Sequence, residues 1–501
     1  MSRRVGAWAV GRVLFALLVL IFLHAPTRLS AQPLAKRLDR RLDAAPFNRN
    51  LWGVVVIDDR GRTVYARNAD RLFVPASNTK IIVSAVASAL LPPDFTVQTS
   101  VYGTGPVANG TLEGDLVLYG RGDPTFGVRC YAVDTMAPGA CDRDPFEKYR
   151  KLAEQLRTRG VSVVRGDLVG DGSYFEPTSI HYGWESYDLN WWYAAPVTGL
   201  GFNDNSIDIS WGAGPTVGAP AAVAFTPDLG DVVMENRTRT VPADSGDNID
   251  FFRRAGTMSV WAEGTVSAAS RGGTEYFAMP DPDLFAARAL RKVLADYGIA
   301  VLGTTRSTSD STAYRAARSA PALAEVQSRP LKDWVFPILN TSQNWYAEML
   351  LKQLGRQFGG EGSWSKGIEV ERRFLIDSIK VDSTQIAFTD GSGLAANNLI
   401  SPMAFAQVLR YIAGHPGFAT FNAGLPHAQQ VGSLRNRFRG TALEGRVRAK
   451  TGSISRVNTL SGYIDRPDGK VWTFSIQANH HTQRGRDMLA QIDSLVVEMG
   501  K

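Results

Sequence analysis

The segment Ser77-Asn78-Thr79-Lys80 places a hydroxyl and an amine at a spacing that suits nucleophilic chemistry. It leads into a mainly apolar stretch, 81–91, which Pro92-Pro93 ends, and this pattern predicts a buried helix. Positions i and i+3 share one face of a helix, so the two side chains can meet. A serine hydroxyl attacks well only when a base removes its proton, and a buried lysine with a lowered pKa can be that base. Ser77 and Lys80 are therefore a candidate nucleophile and base.

The same spacing also occurs at Ser363-Trp364-Ser365-Lys366, which shows that it can arise by chance. That second match lies beside the glycine-rich stretch 359–362, with no apolar helix to hold it. The sequence therefore favours the first match.

A second polar group, Ser342-Gln343-Asn344, leads into a predicted helix, 345–354. The Ser342 hydroxyl can relay a proton to a leaving amine, and the Asn344 amide can hold a substrate backbone. Ordinary N-capping is the alternative, because Ser or Asn before a helix with Glu348 in its first turns is a common start signal.

A third group, Lys450-Thr451-Gly452-Ser453, follows the β-prone segment 445–449. Its glycine lets a substrate backbone approach the strand edge closely. The Lys450 amine and the Thr451 and Ser453 hydroxyls can receive a carboxylate, and the N–H of the last residue can face an oxyanion. The alternative is a strand that ends in a polar turn.

The three groups occur in the order S-x-x-K, S-x-N, K-T-G, on a predicted helix start, a loop and a strand. This order resembles the active-site signature of the penicillin-recognising serine enzymes, the β-lactamases and penicillin-binding proteins. From about residue 40 onward the chain resembles the D-alanyl-D-alanine carboxypeptidase/endopeptidase (DacB) family, the low-molecular-mass class C penicillin-binding proteins. Further stretches similar to that family are Gly114-Asp115-Leu116, Gly122-Asp123-Pro124, Tyr193-Ala194-Ala195-Pro196-Val197, Asn203, Asn205, Asp390-Gly391-Ser392-Gly393-Leu394 and Gly432-Ser433-Leu434.

The resemblance implies an α/β fold: a penicillin-binding-protein/β-lactamase-like transpeptidase domain split by a large, mainly β insertion of two smaller domains. We expect the divided domain at 32–95 and 280–501, and the insertion at 96–279. The patterns agree, since β-prone pieces punctuated by Gly, Pro, Asn and Asp fill the insertion around one helical stretch, 146–159. Outside it, the predicted elements are a β-hairpin at 51–65, helices at 81–91, 282–297, 334–354, 365–379, 402–412 and 482–499, and strands at 446–450, 459–464 and 470–477.

The resemblance also implies catalytic roles. Ser77 is expected to be the acylated nucleophile and Lys80 its general base. Ser342 is expected to shuttle a proton, and Lys450 to provide electrostatic support. The activity implied is hydrolysis of D-alanyl-D-alanine bonds in peptidoglycan peptides through an acyl-enzyme, with β-lactam antibiotics as covalent inhibitors.

Substrate-binding roles follow from the same resemblance. Asn344 is expected to bind the peptide, and Thr451 and Ser453, with Gly452 between them, to receive the terminal carboxylate. The N–H groups of Ser77 and Ser453 are expected to form the oxyanion hole. Asp171, in the insertion, is expected to line the substrate cleft.

Three rival functions remain at this point. A β-lactamase needs a base for fast deacylation, and no E-x-x-L-N-type segment lies between the first two motifs. A promiscuous esterase would use the same S-x-x-K chemistry. A non-catalytic penicillin sensor or peptidoglycan-binding scaffold would not need Lys80.

The N-terminal 31 residues have the basic, apolar and small-residue order of a secretory signal, with Ser30-Ala31 at its end. Its apolar run is about 11 residues, too short to span a bilayer. We expect export to the periplasm, with an uncleaved anchor as the alternative and a twin-arginine signal only weakly suggested by Arg3-Arg4. Beyond this segment no second apolar span predicts a membrane protein, and the oligomeric state stays open.

Charge and cysteine content exclude other classes. The net charge of +7 falls to about +3 without the four arginines of the signal, which does not favour a nucleic-acid partner. In an oxidising compartment the close pair Cys130 and Cys141 predicts a disulfide. The six histidines form no metal-binding motif, so we expect no metal and no cofactor.

Overall fold

The computed structural model describes residues 33–127, 129, 131 and 144–501. The expected signal at 1–31 and the expected disulfide between Cys130 and Cys141 lie outside these residues, so both stay predictions.

Helices make up two layers of the divided domain and support the sheets of the insertion. Their bounds are α1 Leu34–Leu42, α2 Lys80–Leu90, α3 Glu147–Thr158, α4 Pro282–Asp296, α5 Arg315–Arg318, α6 Leu331–Asn340, α7 Asn344–Gly359, α8 Trp364–Phe374, α9 Pro402–Ala413, α10 Phe418–Gly424 and α11 Gly485–Gly500.

Strands concentrate at the two ends of the chain and in the insertion. Their bounds are β1 Leu51–Ile57, β2 Thr63–Arg67, β3 Gln98–Gly103, β4 Val107–Ala108, β5 Thr111–Leu112, β6 Leu116–Tyr119, β7 Val163–Val164, β8 Leu168–Asp171, β9 Ser206–Gly212, β10 Ala222–Thr226, β11 Val233–Val241, β12 Asn248–Arg253, β13 Ser259–Ser267, β14 Gly273–Ala278, β15 Ala300–Val301, β16 Thr305–Thr308, β17 Ala324–Gln327, β18 Ile386–Ala387, β19 Leu399–Ile400, β20 Val447–Ile454, β21 Val457–Asp465 and β22 Val471–Asn479.

The central sheet joins the two ends of the chain. Its order is β2-β1-β22-β21-β20, and every neighbouring pair is antiparallel. Helices α1 and α11 bury apolar side chains such as Leu38 and Ile492 against one face of this sheet. On the other face, Val55 of β1 packs with Ala406 of α9. The α/β domain divided by an insertion is thus confirmed.

A second apolar core lies among the helices that carry the site. Side chains of α2, α6, α7 and α9, among them Ile82, Trp334, Leu350 and Phe405, are buried together. This core fixes the start of α2 relative to the start of α7, so that two distant parts of the chain share one wall of the site.

The insertion contains further sheets, of which the largest has the order β16-β8-β6-β3-β17. Strand β17 pairs with β3 and β16 pairs with β8, so residues 305–327 complete a sheet that begins at Gln98. Helix α4 packs on this sheet as well. The pairing favours an insertion that ends near residue 327, later than the predicted end at 279. The sequence did not indicate this later end because the returning strands are only two to four residues long and carry little sequence signal.

The prediction of one continuous helix over 334–354 is wrong, whereas the predicted loop at Ser342 before a helix is confirmed. Two helices, α6 and α7, are separated by Thr341, Ser342 and Gln343. Ser342 has a φ of 64°, in the left-handed region that ends a helix. Along the described ranges, no helix is both long and apolar enough to cross a membrane.

Candidate active site

Ser77 lies on a single 3-10 turn, Ala76–Thr79, that runs directly into α2. Two contacts hold this turn against β21: the Asn78 Nδ2 atom donates to Ser461 Oγ at 2.7 Å, and Thr459 Oγ1 donates to the Pro75 carbonyl at 2.9 Å. Ser77 itself is only half-buried. Its hydroxyl is therefore reachable on a turn that the central sheet fixes.

Lys80 is fully buried behind that hydroxyl. Its Nζ atom lies 3.0 Å from Ser77 Oγ, 2.6 Å from Asn344 Oδ1 and 2.7 Å from the Ser392 carbonyl oxygen. Burial lowers the pKa of Lys80 to about 7, although the negative charges of Asp390 and Glu348 act in the opposite direction. A substantial share of neutral amine is thus present near neutral pH.

The three partners of Lys80 suit a neutral amine as a base. Asn344 Oδ1 and the Ser392 carbonyl are acceptors only, so they take the two N–H bonds of the neutral form. The lone pair then points to the third partner, Ser77, whose hydroxyl can donate to it. The geometry places a general base in hydrogen-bonding reach of a nucleophile.

A second amine–hydroxyl pair lies on the other side of the site. The Lys450 Nζ atom donates to Ser342 Oγ at 2.8 Å and to the Thr451 carbonyl at 2.8 Å. Burial, and then the charge of Lys80, hold the pKa of Lys450 well below its usual value. This amine therefore gives up its proton more readily than an ordinary lysine, and it can exchange a proton with the Ser342 hydroxyl.

The N-capping alternative for 342–344 is settled by one hydrogen bond. Gln343, not Ser342 or Asn344, caps α7, because its Oε1 atom accepts from Trp345 N at 3.1 Å. Asn344 instead donates its Nδ2 to the Tyr193 carbonyl at 2.8 Å while its Oδ1 faces Lys80. The side chains of Ser342 and Asn344 therefore bind the two lysines of the site and do not cap the helix.

The K-T-G segment forms part of β20, an edge strand of the central sheet. Thr451 Oγ1 donates to Ser433 Oγ at 3.0 Å, and the exposed Ser453 accepts at its Oγ from Asn458 Nδ2 at 2.8 Å. A strand that merely ends in a polar turn is excluded, because β20 continues to Ile454.

The structure gives a reason for glycine at position 452 that differs from the predicted close approach of a substrate backbone. A Cβ there would lie 2.7 Å from the Pro75 carbonyl and 2.3 Å from Thr459 Oγ1. The glycine therefore makes room for the turn that carries Ser77, and its missing side chain does not face an approaching ligand.

Asp171 is not brought together with these residues. It lies fully buried in β8, where Arg318 pairs with its carboxylate and the Ser173 N–H donates to it at 2.9 Å. The expectation that it lines the cleft stays a prediction, and its surroundings in the structure are those of a buried ion pair.

The second S-x-x-K match has a purely structural position. Ser363 caps α8 by accepting from Lys366 N at 3.3 Å, and Lys366 pairs with Glu369 at 2.7 Å. The Ser363 hydroxyl and the Lys366 amine therefore stabilise helix α8, and their stated partners are other groups of that helix.

Sequence patterns missed two contributors to the site. The Ser392 carbonyl accepts from Lys80, and Glu348 accepts from the N–H groups of Gly391 and Ser392. The signal for Glu348 is a lone carboxylate one turn after Asn344 on a helix that is buried along most of its length. Within the described residues, no group of three or more His, Cys, Asp or Glu side chains is placed to hold a metal ion.

Comparison with known proteins gives consistent matches over nearly the whole chain. The model of the D-Ala-D-Ala carboxypeptidase 3 (S13) family matches residues 34–499. A D-alanyl-D-alanine carboxypeptidase from Actinomadura sp. (strain R39) is 30% identical over 482 residues, which cover 93% of this chain and 84% of that protein. The D-alanyl-D-alanine carboxypeptidase DacB of Haemophilus influenzae is 24% identical over 86% of this chain and 85% of that protein.

Solved structures show the same fold. Penicillin binding protein 4 from Haemophilus influenzae superimposes with a TM-score of 0.76 at 21% identity, covering 93% of this chain and 99% of that one. A second structure of that protein, in complex with a β-lactam, superimposes with a TM-score of 0.71 at the same identity and coverage.

Proposed function

The chain belongs to the D-Ala-D-Ala carboxypeptidase 3 (S13) family, and on this premise we propose that it is a serine D-alanyl-D-alanine carboxypeptidase/endopeptidase. Its substrates are peptidoglycan stem peptides and their cross-links. The observation that carries the proposal is the 3.0 Å contact between Lys80 Nζ and Ser77 Oγ, with Asn344 and Ser392 occupying the remaining N–H positions of the amine.

Acylation begins when Ser77 Oγ attacks the carbonyl carbon of the penultimate D-Ala and its proton passes to Lys80 Nζ. The N–H groups of Ser77 and Ser453 stabilise the oxyanion. As the C–N bond breaks, Ser342 protonates the leaving amine and regains its proton from Lys450. The products are a Ser77 ester and free D-Ala, or the amine of a cross-linked peptide.

Deacylation reverses these proton transfers with water in place of the leaving amine. Lys450, acting through Ser342, takes a proton from water, and the resulting hydroxide attacks the ester carbonyl. The proton that Lys80 took up during acylation returns to Ser77 Oγ as that oxygen leaves. A β-lactam also acylates Ser77, because its strained amide and carboxylate match the positions of the peptide bond and terminus. Its ring-opened amine stays tethered in the site, so hydrolysis is slow.

Substrate recognition rests on groups that flank the nucleophile. Asn344 holds the peptide backbone, and Thr451 and Ser453 receive the terminal carboxylate beside Gly452. Asp171 is proposed to line the substrate cleft from the insertion. A family of cell-wall peptidases fits an exported protein, and the N-terminal signal pattern supports a periplasmic location.

The test is release of D-Ala from a pentapeptide and conversion of a cross-linked muropeptide to its two separate peptides, each assayed with wild type and with Ser77→Ala. We expect release by the wild type only. No peptide cleavage together with rapid hydrolysis of benzylpenicillin would identify a β-lactamase instead. Penicillin binding without cleavage of either substrate would identify a sensor.

A further inference from the structure

We propose that Glu348 is a positioning residue for this acyl transfer: its carboxylate holds the Ser392 carbonyl where that carbonyl binds Lys80. The inference rests on the proposed function and adds a residue that contacts neither substrate nor nucleophile.

Glu348 is anchored on α7, one turn after Asn344, and its side chain is fully buried. Its Oε1 atom accepts from Ser392 N at 2.7 Å. Its Oε2 atom accepts from Gly391 N at 3.0 Å and from Trp364 Nε1 at 2.8 Å. Hydrogen bonds to an ionised acceptor are the stronger kind, so two of these bonds fix the N–H groups of Gly391 and Ser392, and the third, from Trp364, fixes the carboxylate itself.

The fixed turn is in direct contact with the catalytic amine. The carbonyl of Ser392, the residue whose N–H Glu348 binds, accepts from Lys80 Nζ at 2.7 Å. The next residue, Gly393, has a φ of 77°, and a Cβ there would lie 1.9 Å from the Ala76 carbonyl. The turn therefore touches both the base and the loop that carries the nucleophile.

Asn344 and Glu348 act on Lys80 from the same helix. Asn344 supplies one acceptor through its own side chain, and Glu348 supplies the second through the backbone of Ser392. One helix thus sets both N–H directions of the amine and, with them, the direction of its lone pair towards Ser77.

Four ionisable groups face Glu348 from the elements packed around it: Lys80 of α2, Lys352 of its own helix, Glu371 of α8 and Asp390 of the bound turn. Burial, and then the charge of Asp390, raise the pKa of Glu348 to about 7. The charge of Glu348 in turn raises the pKa of Lys80. Removing this charge therefore lowers the pKa of Lys80.

Glu371→Gln is the matched control. Glu371 is also fully buried and electrostatically coupled to Glu348, but its carboxylate oxygens bind neither the 391–392 turn nor Lys80. Burial raises the pKa of Glu371 well above its usual value, and the charges of Glu348 and Asp390 raise it further. The variant therefore replaces a second buried carboxyl group beside Glu348 without releasing the Ser392 carbonyl.

The experiment measures the rate constant for acylation by a fluorescent penicillin from about pH 5 to pH 9, a range that brackets the expected titration of the base. Wild type, Glu348→Gln and Glu371→Gln are compared after their thermal midpoints are recorded. We expect the plateau rate constant of Glu348→Gln to be lower than that of the wild type by about 10-fold or more, because the base is misplaced. The acid limb of its pH profile moves to lower pH. Glu371→Gln is expected to keep the wild-type plateau, and its acid limb is expected to move less.

An unchanged profile for Glu348→Gln overturns the inference, as does a slower rate with an unmoved acid limb or an equal plateau loss in Glu371→Gln. If Glu348→Gln does not fold, the same measurement on Glu348→Asp tests the inference. That variant keeps the charge but is one methylene too short to hold both N–H groups, so we expect a lower plateau with a wild-type acid limb, and a wild-type plateau overturns the inference. Absence of acylation in the wild type would contradict the proposed function itself, and the two failures are thereby distinguished.

Discussion

The Nζ atom of Lys80 lies 2.6 Å from the Oδ1 atom of Asn344, although 264 positions separate the two residues in the chain. Lys80 opens α2 and Asn344 opens α7, so the contact joins the starts of two helices across the insertion point. A base whose orientation depends on both segments can form only after the divided domain has closed. The predictions below follow from this arrangement.

Acylation is predicted to depend on pH through Lys80. Burial lowers the pKa of Lys80 to about 7, so the free base that accepts the Ser77 proton predominates above that pH and is lost below it. The rate of acylation by a β-lactam should rise with pH and reach half its plateau near pH 7. Stopped-flow fluorescence over the pH range measures it, and a flat profile through pH 7 would exclude Lys80 as the base.

Ser342→Ala is predicted to slow peptide cleavage by about 10²- to 10⁴-fold, the usual contribution of a positioned proton-transfer group. The reason is that Lys450 Nζ, 2.8 Å from the Ser342 hydroxyl, then has no carrier to the leaving amine. Release of D-Ala measures the effect. Ser363→Ala is the control: it removes the cap of α8, costs about 1 kcal/mol of stability and leaves cleavage unchanged. Equal loss in both variants would contradict the proton-shuttle role.

Gly452→Ala is predicted to lower both stability and activity. The added methyl would meet the Pro75 carbonyl and Thr459, and overpacking of this kind costs about 1–3 kcal/mol. Because Pro75 precedes the turn that bears Ser77, β20 and the nucleophile are pushed apart and acylation slows. Gly212→Ala, in β9, has no atom within 4 Å of the new methyl and should change neither quantity. Wild-type acylation by Gly452→Ala would show that this contact does not position the site.

Asp171→Ala is predicted to destabilise the insertion. It leaves Arg318, which is 13% exposed, without its buried carboxylate, and breaking such a pair costs about 3–5 kcal/mol. The exposed pair Lys292–Asp296 provides the control, since Asp296→Ala should cost less than about 1 kcal/mol. Urea unfolding measures both. Full stability with reduced peptide turnover would instead support a cleft role for Asp171.

Local patterns were sufficient to predict the first hairpin, the helix after Ser77 and the last three strands. In each case alternating or continuous apolar residues are bounded by Gly, Pro or charged residues, so neighbours in the chain determine the element. The catalytic groups were predictable for a related reason: their spacing places each beside a recognisable element start or strand.

Features imposed by distant parts of the chain were not predictable in this way. The break at Ser342 interrupts a continuous helical pattern, and it is held by Gln343, whose Nε2 atom donates to Asp204 of the insertion at 2.8 Å. Similarly, Glu348 matched a helix-start signal, yet its partners are Gly391 and Ser392, which follow it by more than 40 positions. Tertiary contacts of this kind leave no periodicity in the sequence.

Intact-mass measurement after brief incubation with benzylpenicillin tests the central claim most directly, with wild type beside Ser77→Ala. The account predicts one stable penicillin adduct on the wild type and none on the variant, with both proteins folded. An adduct that persists in Ser77→Ala would contradict Ser77 as the nucleophile. A wild type that stays unmodified while the antibiotic remains intact would contradict acyl-enzyme chemistry at this site.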